Sequence, residues 1–347
     1  MKGVILIVSL WILALLVLLA IGIGYQTSLE VRVVGAHRDR LKALALAQSA
    51  LHRAVVVLEQ DDAPEVDSLV EPWATGKGAD GKGLFKEIPL GDGDWSVRYE
   101  HPNPLDPEGS PEPVYAIRDE ERKIQINTAT EAQWADIADK TGMPSEMIQS
   151  IRAWRGDRIN GEPIPWQEGW FVTGMPKDRP FERLEELFLL SGMTPELFEK
   201  LEALLTVYGE GKVNLNTAPR PVLEVCVQPP SAELASLLDK IYAFRNGPDG
   251  NEGSEDDGVF DKADASAIQG KLNEFHSGSP LTSEEINALN QLVQAGIGVT
   301  SKTYRIQSVG RVASGRVQRR LQAVVEVLTV EGAGRRLKGY LSYQEGL

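Results

Sequence analysis

The first sixty residues carry two successive patterns of apolar positions. Residues 4–23 form an almost unbroken apolar run without a charge, and about 20 such residues in a helix span the core of a bilayer. Between Leu41 and Leu58, apolar residues recur at three- and four-residue steps, as on the buried face of an amphipathic helix. Since no proline interrupts residues 4–62, the pattern predicts one helix of roughly 80 Å that ends near Glu59.

After this helix the periodicity changes twice. Residues 61–94 are rich in Asp, Pro and Gly and are predicted to form loops. Residues 95–99 alternate apolar and polar side chains, residues 102–113 are a proline-rich turn, and residues 114–118 are a second strand pattern, so a β-hairpin or meander is expected. From residue 130 to about residue 294 the apolar spacing is helical.

Strand patterns return at the end of the chain. They cover residues 303–309 and 321–328, with a turn at Ala313, Ser314 and Gly315. The order of long helix, strands, helices and strands favours an α+β fold, in which a helical domain is inserted between strands of one antiparallel sheet that packs on the N-terminal helix. Three domains in series are the alternative, but they would leave hairpins too small to be stable alone.

Composition restricts the classes of function. The formal net charge is -14, and an acidic surface repels nucleic-acid backbones, so no nucleic-acid partner is expected. The single cysteine, Cys226, can form neither an internal disulfide nor a cysteine-rich metal site, and its apolar surroundings predict a small buried residue. Hydrophobic residues make up 42% of the chain, enough for a core outside the membrane.

One motif occurs twice. Residues 123–129 read KIQINTA and residues 212–218 read KVNLNTA, and the helical stretches that follow end alike at residues 151–155 and 241–245. An internal repeat is therefore predicted, and the Asn-Thr-Ala tripeptide is typical of a helix entry, because Asn and Thr cap free N–H groups.

The first copy continues into Thr141, Gly142, Met143 and Pro144, which predict a turn between two helices. This resembles the helix-hairpin-helix unit of DNA-binding proteins, so a membrane-anchored DNA receptor is the alternative function. The second copy has prolines at residues 229–230 where the glycines would lie, and proline lacks the N–H groups that would bind a phosphate. Structural use of the motif is therefore favoured.

The most chemically distinctive segment is the acidic loop, defined as residues 247–261. Carboxylates this close repel one another unless a cation neutralises them, and Ca²⁺ accepts 6–8 oxygen ligands in irregular geometry. The predicted calcium donors are Asp249, Asn251, Glu255, Asp256 and Asp257. The loop is not an EF-hand, because Phe260 holds the twelfth position, where that motif has glutamate. A solvated acidic turn is the alternative.

No catalytic constellation is found. The histidines are scattered at His37, His52, His101 and His276, and H-E-x-x-H, G-x-S-x-G and P-loop motifs are absent. A hydrolase with an acidic metal site is disfavoured because no cluster of ligands includes histidine. The chain is therefore expected not to be an enzyme.

Three targeting segments compete at the N-terminus. A cleaved secretory signal has an apolar centre of about 7–15 residues and a small-residue cleavage motif; the run here is longer and no A-x-A motif follows it cleanly. A signal anchor fits the length of the run. A type III prepilin leader is cut after a glycine that precedes the apolar run, and the junction between Gly3 and Val4 has that form.

Taken together, these residues resemble the K-type minor pseudopilins of type II secretion systems, the general secretion pathway protein K family, over nearly the whole chain. The resemblance rests on the Gly3–Val4 junction and on residues 119–127 (DEERKIQIN), 181–187 (FERLEEL), 192–195 (GMTP), 206–208 (TVY) and 212–219 (KVNLNTAP). It implies a pilin-like α/β fold with a large inserted α-helical domain.

The resemblance and the periodicity together give the expected domains. They are a prepilin leader at 1–3, a transmembrane helix at 4–24, the first part of the pilin-like domain at 25–126, an inserted helical domain with helix-hairpin-helix-like repeats at 127–299, and C-terminal pilin-like strands at 300–347.

The resemblance also implies a role and partners. The chain would be a structural subunit at the tip of the pseudopilus, which supports pseudopilus initiation and export across the outer membrane. It would be processed by prepilin peptidase, N-methylated at the new terminus, and span the inner membrane once, with its soluble domain in the periplasm. Its partners would be I- and J-type minor pseudopilins and other pseudopilus subunits. Family members bind calcium in the large domain, which is carried here only onto the acidic loop.

One residue departs from most pseudopilins in the way that the K type does. The fifth mature position is Val8, where most pseudopilins have a glutamate. In the family, that glutamate neutralises the N-terminal amine of a neighbouring subunit. A subunit at the tip has no neighbour above it, so the absence of the acid implies a capping position.

Overall fold

A computed structural model of the chain describes residues 2–99, 113–312, 315, 317–330, 332 and 334–346, with side chains from Ile7 onward. Its first element is one helix, α1, Lys2–Glu59, of 58 residues and so about 87 Å long. The predicted continuous helix is thus confirmed. Within α1 the apolar side chains from Ile7 to Ile23 are exposed, and burial begins at Ala43. The helix is long and apolar enough to cross a membrane.

The pilin-like part consists of α1, the short elements that follow it and the long strands at the C-terminal end. A helical region lies between the short elements and the long strands in sequence. In chain order the elements after α1 are α2 (Pro72–Thr75), β1 (Ile88–Leu90), β2 (Gly93–Val97), β3 (Arg118–Asp119), β4 (Ile124–Gln125), α3 (Glu131–Thr141), α4 (Ser145–Trp154), β5 (Arg158–Ile159), β6 (Glu162–Pro163), a 3-10 helix (Leu184–Leu189), α5 (Pro195–Leu204), β7 (Leu205–Thr206), β8 (Val213–Asn214), α6 (Arg220–Cys226), α7 (Ala232–Arg245), α8 (Ala265–Phe275), α9 (Ser283–Gln294), β9 (Ile297–Gly298), β10 (Thr303–Val312), β11 (Gln318–Val330) and β12 (Gly334–Gly346).

The main sheet is antiparallel, with strand order β1-β2-β10-β11-β12, and β3 also pairs with β10. Strands from before and after the helical region therefore lie in one sheet, as an inserted domain requires. The second half of α1 packs on this sheet, and Leu58, Trp95, Ile306 and Val325 lie in their shared core.

Two details of the expected sheet differ. Residues 95–99 and 114–118 do not form a hairpin along their length: only Tyr99 and Val114 bridge, while β2 and β3 both pair with β10. The C-terminal hairpin of β10 and β11 is present, but β12 was not predicted. The turn residues Ala313 and Ser314 and the proline-rich turn up to residue 112 lie outside the described residues, as does His101.

The helices α3 to α9 share a second core, separate from that of the sheet. The helices α5 and α9 begin at threonine side-chain caps. The Thr194 hydroxyl accepts a hydrogen bond from the Leu197 amide at the start of α5. At the start of α9, Thr282 and Glu285 form a reciprocal capping box. A helix follows Asn-Thr-Ala in both copies of the repeat, but the tripeptide does not cap it as predicted: the N-cap residues are Thr130 for α3 and Pro219 for α6.

Candidate functional site

The repeat seen in sequence is also a repeat of contacts. The Asn127 side chain forms two hydrogen bonds with the backbone of Phe181: it donates to the carbonyl oxygen at 3.0 Å and accepts from the amide at 2.7 Å. Asn216 binds the backbone of Phe260 in the same way, with both distances 2.9 Å. Each asparagine therefore fixes the end of the loop that follows its own helix pair.

The arginines at the ends of the two helical stretches correspond as well. Arg155 donates to the carbonyl oxygen of Ile126 at 2.7 Å, and Arg245 donates to that of Leu215 at 3.2 Å. Thus the loop between each arginine and each phenylalanine is anchored at both ends. The acidic loop is the second of these loops, and we call residues 156–180 the first-repeat loop.

Backbone turns at glycine bring part of the acidic loop together. Gly247 has φ +61, and a Cβ there would lie 2.6 Å from the carbonyl oxygen of Asp256, so only glycine fits this close approach. As a result, Asp249, Asp256 and Asp257 each place one carboxylate oxygen within 4.8 Å of the others. These are three of the five predicted donors.

Local hydrogen bonds orient two of these carboxylates. Asp256 accepts from the backbone amide of Asp249 at 3.1 Å and from the Ser254 hydroxyl. Asp257 accepts from the Gly253 amide at 2.7 Å and from Ser254 at 3.0 Å. The Ser254 bond holds the pKa of Asp256 below its usual value, so this group is ionised at neutral pH.

The other acidic and amide groups of the segment are placed elsewhere. Asn251 turns its side-chain amide toward the carbonyl oxygen of Asp249, at 3.3 Å. Glu255 is exposed and does not join the three aspartates. Asp261 pairs with Lys271 at 3.0 Å, and Asp264 caps α8. The candidate cation site therefore contains three converging carboxylates rather than the five donors predicted from the sequence.

The donor set suits a hard cation. Three carboxylates and nearby backbone carbonyls are oxygen ligands, which Ca²⁺ prefers, and no histidine or cysteine joins this cluster. The first-repeat loop provides an internal comparison. A Cβ at Gly156 would lie 3.0 Å from Asp178, as one at Gly247 would crowd Asp256, and the guanidinium of Arg158 pairs with Asp178 at 3.2 Å.

The two loops thus differ in how their acids are neutralised. In the first-repeat loop an arginine supplies the positive charge. In the acidic loop, no ion pair of a Lys or Arg with Asp249, Asp256 or Asp257 is found among the described residues. In these equivalent loops, a guanidinium in one and a bound cation in the other would each reduce the repulsion between neighbouring carboxylates.

A second acidic group was not foreseen from sequence. Asp61, Asp67 and Glu71 also bring carboxylate oxygens within 4.8 Å, but Arg335 lies among them, 2.6 Å from Asp67 and 3.1 Å from Asp61. Burial raises the pKa of Glu71 to about 8. The Arg335 guanidinium therefore supplies the positive charge of this cluster, and because Arg335 lies in β12, which was not predicted, nothing in the sequence indicated the pairing.

The N-terminal segment offers less detail. Gly3 and Val4 fall within the range of α1, but the Val4 side chain lies outside the described part of the chain. Val8 is 51% exposed on α1. The helix therefore presents an apolar surface without an acid at this position.

Comparisons with known proteins address the fold. Residues 2–52 match the family model described as PilX N-terminal. No curated protein matches the sequence significantly. Among solved structures, the chain is similar to a chain in the crystal structure of the GspK-GspI-GspJ complex from the enterotoxigenic Escherichia coli type 2 secretion system, with a TM-score of 0.55 and 16% sequence identity, over 92% of this chain and 99% of that chain. The likeness shows the fold, and the predicted α+β architecture is confirmed.

Proposed function

We propose that the chain is a K-type minor pseudopilin, a structural subunit of a type II secretion pseudopilus. The observation that carries this proposal is that one helical domain is inserted between strands of a sheet that packs on the end of α1. At about 1.5 Å per residue, this helix is about 87 Å long. The fold is shared with a chain of the GspK-GspI-GspJ complex over 92% of the length, and the match to the PilX N-terminal model supports a pilin-type start.

The proposed site of action is the inner membrane, with the sheet and the helical domain in the periplasm. The partners would be I- and J-type minor pseudopilins, together with other pseudopilus subunits. The test is co-purification of the full chain in detergent with the I- and J-type subunits from the same cells. The proposal predicts a stoichiometric complex, and recovery of the chain alone, under conditions where the two other subunits stay together, would contradict it.

Processing gives a second test. Cleavage by prepilin peptidase between Gly3 and Val4 would leave a mature protein that begins at Val4 with an N-methylated amine. Intact mass measurement of the membrane-extracted protein distinguishes this product from the alternatives. A retained Met1, or a cut near Gly24, would rule out the prepilin leader.

The tip position rests on Val8. An acid here would lie in an apolar fibre core without a neighbouring amine, and a buried unpaired carboxylate is costly in that environment. We expect Val8→Glu to leave the soluble domains folded and to impair pseudopilus initiation, whereas Val8→Leu should behave as wild type. Normal secretion by the Val8→Glu variant would count against the tip assignment.

We further propose that the acidic loop binds calcium as a structural ion. The three converging aspartates are the main donors, with Asn251 and backbone carbonyls completing the shell and Glu255 able to join only after the loop rearranges. A ligand that binds only the folded state stabilises it by about 2.7 kcal/mol at a hundredfold excess over Kd.

The full chain in detergent should therefore melt at a higher temperature in calcium than in chelator. Asp256→Ala combined with Asp257→Ala should remove most of that difference, and magnesium should have a smaller effect because it requires tighter octahedral geometry. Asp178→Ala in the first-repeat loop is the matched control and should keep the calcium response. An equal melting temperature with and without calcium would identify the segment as a solvated acidic turn.

A further inference from the structure

A groove of about 350 Å³ lies between α1 and the last two strands of the sheet. Its lining combines apolar and titratable side chains from the helix and from the strands: Leu41, Leu44, His37, Arg40, Arg319 and Glu345. Burial on α1 begins at Ala43, so the groove lies at the end of the sheet that is nearest the apolar segment. It is open to a partner that approaches along the helix.

Strand pairing explains why Arg319 lies beside the helix. Gly310 in β10 pairs with Arg319 in β11, and paired residues of neighbouring strands point to the same face of a sheet. A Cβ at Gly310 would point at the backbone of Ala43 in α1, so the Arg319 side chain also lies on the helix side of the sheet. The guanidinium groups of Arg40 and Arg319 therefore line one groove, the first from the helix and the second from the sheet.

These two guanidinium groups have no partner in the part of the chain that the structure describes. Neither Arg40 nor Arg319 makes an ion pair or a side-chain hydrogen bond there, although Glu345 lines the same groove. The neighbouring cations Arg38 and Lys42, by contrast, each pair with an aspartate. In a protein with a formal net charge of -14, the groove is a local positive site, and guanidinium groups bind carboxylates by charge-assisted hydrogen bonds.

An apolar stripe leads from the groove toward the membrane. Leu29, Val33, His37, Leu41 and Leu44 follow one another at four- or three-residue steps, and so they lie on one face of α1. Leu29, Val33 and Leu41 are 42%, 67% and 54% exposed. All three lie beyond residues 4–24, the segment predicted to cross the bilayer, so lipid tails do not cover them. A second helix beside α1 would bury this stripe, since helices pack at interaxial distances of about 8–10 Å.

The height of the groove favours a protein partner over a lipid headgroup. From residue 24 to Arg40 the distance along the helix is about 24 Å, at about 1.5 Å per residue. The headgroup layer on each side of a bilayer is only about 5–8 Å thick. A phosphate at the membrane surface therefore does not reach Arg40, whereas a helix that leaves the membrane beside α1 passes it.

We propose that the groove and the stripe bind a membrane-anchored helix of a second pseudopilus subunit, with carboxylates of that helix on Arg40 and Arg319. The inference rests on the proposed function, because it requires that the chain joins such an assembly. The stripe supplies apolar contact along the partner helix. The two arginines set its axial position, because only carboxylates at their height meet both guanidinium groups, and a helix without acids there leaves them unpaired.

The affinity of the full chain for the I- and J-type subunits in detergent tests the groove. Arg40→Glu with Arg319→Glu replaces two attractions by repulsions, and we expect a loss of about tenfold for each site and about a hundredfold for both. Arg32→Glu with Arg336→Glu is the matched control, since it changes the charge equally. Arg32 lies about two and a half turns from Leu41, on the opposite side of α1, and Arg336 is exposed on β12. The control should bind within about twofold of wild type.

Salt dependence provides a readout that a loss of folding would not mimic. Raising the ionic strength from about 0.05 M to about 0.5 M should weaken the wild-type complex, because salt screens the attraction between the arginines and the carboxylates. The same change should not weaken the complex of the Arg40→Glu, Arg319→Glu variant further, because its remaining charge interaction is repulsive.

A photocrosslinker incorporated at position 41 identifies the occupant while both arginines remain, so this measurement does not depend on how a variant folds. We expect cross-links in cells from position 41 to the helix of a partner subunit, and none from position 32. Replacement by Lys of the partner's acids next to the cross-linked residue should restore binding to the Arg40→Glu, Arg319→Glu variant.

The failures are distinguishable. Cross-links from position 41 only to lipid, to detergent or to other residues of this chain would overturn the inference, and so would a groove variant that binds as well as its control. In each of these cases the proposed function stands, provided that the wild type forms the complex. If the wild type binds neither the I-type nor the J-type subunit, the proposed function is wrong and the inference is wrong with it.

Discussion

The packing of α1 on β10 depends on one glycine, and adding a single methyl group there should separate the two elements. A Cβ at Gly310 would lie 2.1 Å from the carbonyl oxygen of Ala43 and 2.5 Å from the amide nitrogen of Ala47. Both are backbone atoms of α1, so no side chain can rotate away. Relief requires the helix to move outward by about 1 Å, and a gap of that size removes a quarter to a half of the dispersion energy of each contact across it.

Overpacking of a core costs about 1–3 kcal/mol, and a clash between two backbones belongs at the upper end, so Gly310→Ala should destabilise by about 3 kcal/mol. At about 2–4 °C per kcal/mol for a domain of this size, the melting temperature should fall by about 6–12 °C. Gly339→Ala is the matched control, because a Cβ at this strand glycine meets nothing within 4 Å.

Thermal unfolding of the full chain in detergent, followed by circular dichroism and tryptophan fluorescence, measures both variants. The control should stay within about 0.5 kcal/mol of wild type, as surface substitutions usually do. If Gly310→Ala melts with the control, or if Gly339→Ala loses as much as Gly310→Ala, close backbone contact is not what holds α1 on the sheet.

Three further predictions concern buried charges and the thiol. Burial raises the pKa of Glu71 to about 8 and that of Glu121 to about 7. The folded chain therefore keeps protons that the unfolded chain loses above about pH 4.3, and the free energy of unfolding should fall as pH rises from about 5 to 8; replacing both by Gln should flatten that slope in urea titrations. Arg335→Met should cost about 3–5 kcal/mol because it leaves buried carboxylates unpaired, whereas Arg336→Met, at an exposed neighbour, should cost less than about 0.5 kcal/mol; an equal loss of denaturation midpoint would contradict the buried network. Burial raises the pKa of the Cys226 thiol to about 12, so a maleimide should label it slowly in the native protein and rapidly in denaturant; fast native labelling would show that the thiol is accessible.

The long elements were predictable because their signals are local. The three- and four-residue spacing of α1 and the alternation of β10 and β11 each appear within one segment of sequence. Strand β12 was missed because it is an edge strand, and Arg336, Lys338 and Tyr340 on it are exposed, so it lacks the apolar alternation that marks a covered strand. The predicted insertion placed β2 and β10 in one sheet, but it could not predict that they are neighbours, because β10 lies more than two hundred residues away in sequence.

The partners of the acidic side chains could not be predicted from the sequence for the same reason, because those partners come from other segments of the chain. The sequence located the acidic loop but could not tell that Asp261 pairs with Lys271 while Asp264 caps α8. Residues 119–123 are charged throughout and would be expected on the surface, yet Asp119 and Glu120 are fully buried. Asp119 accepts from Thr217 and Ser301, partners supplied by distant segments, and only the folded chain brings such partners together.

The uninterrupted backbone of α1 has a mechanical consequence. The same 58-residue helix that begins in the apolar segment ends inside the core of the sheet, and within the described residues no proline or helix break divides it. A helix resists bending because consecutive turns are joined by backbone hydrogen bonds. An axial displacement of the N-terminal end of α1 is therefore transmitted to the sheet with little bending of the helix. Lifting the helix by one residue's rise, about 1.5 Å, lifts the sheet by the same distance. The sheet therefore moves together with the N-terminal end of α1.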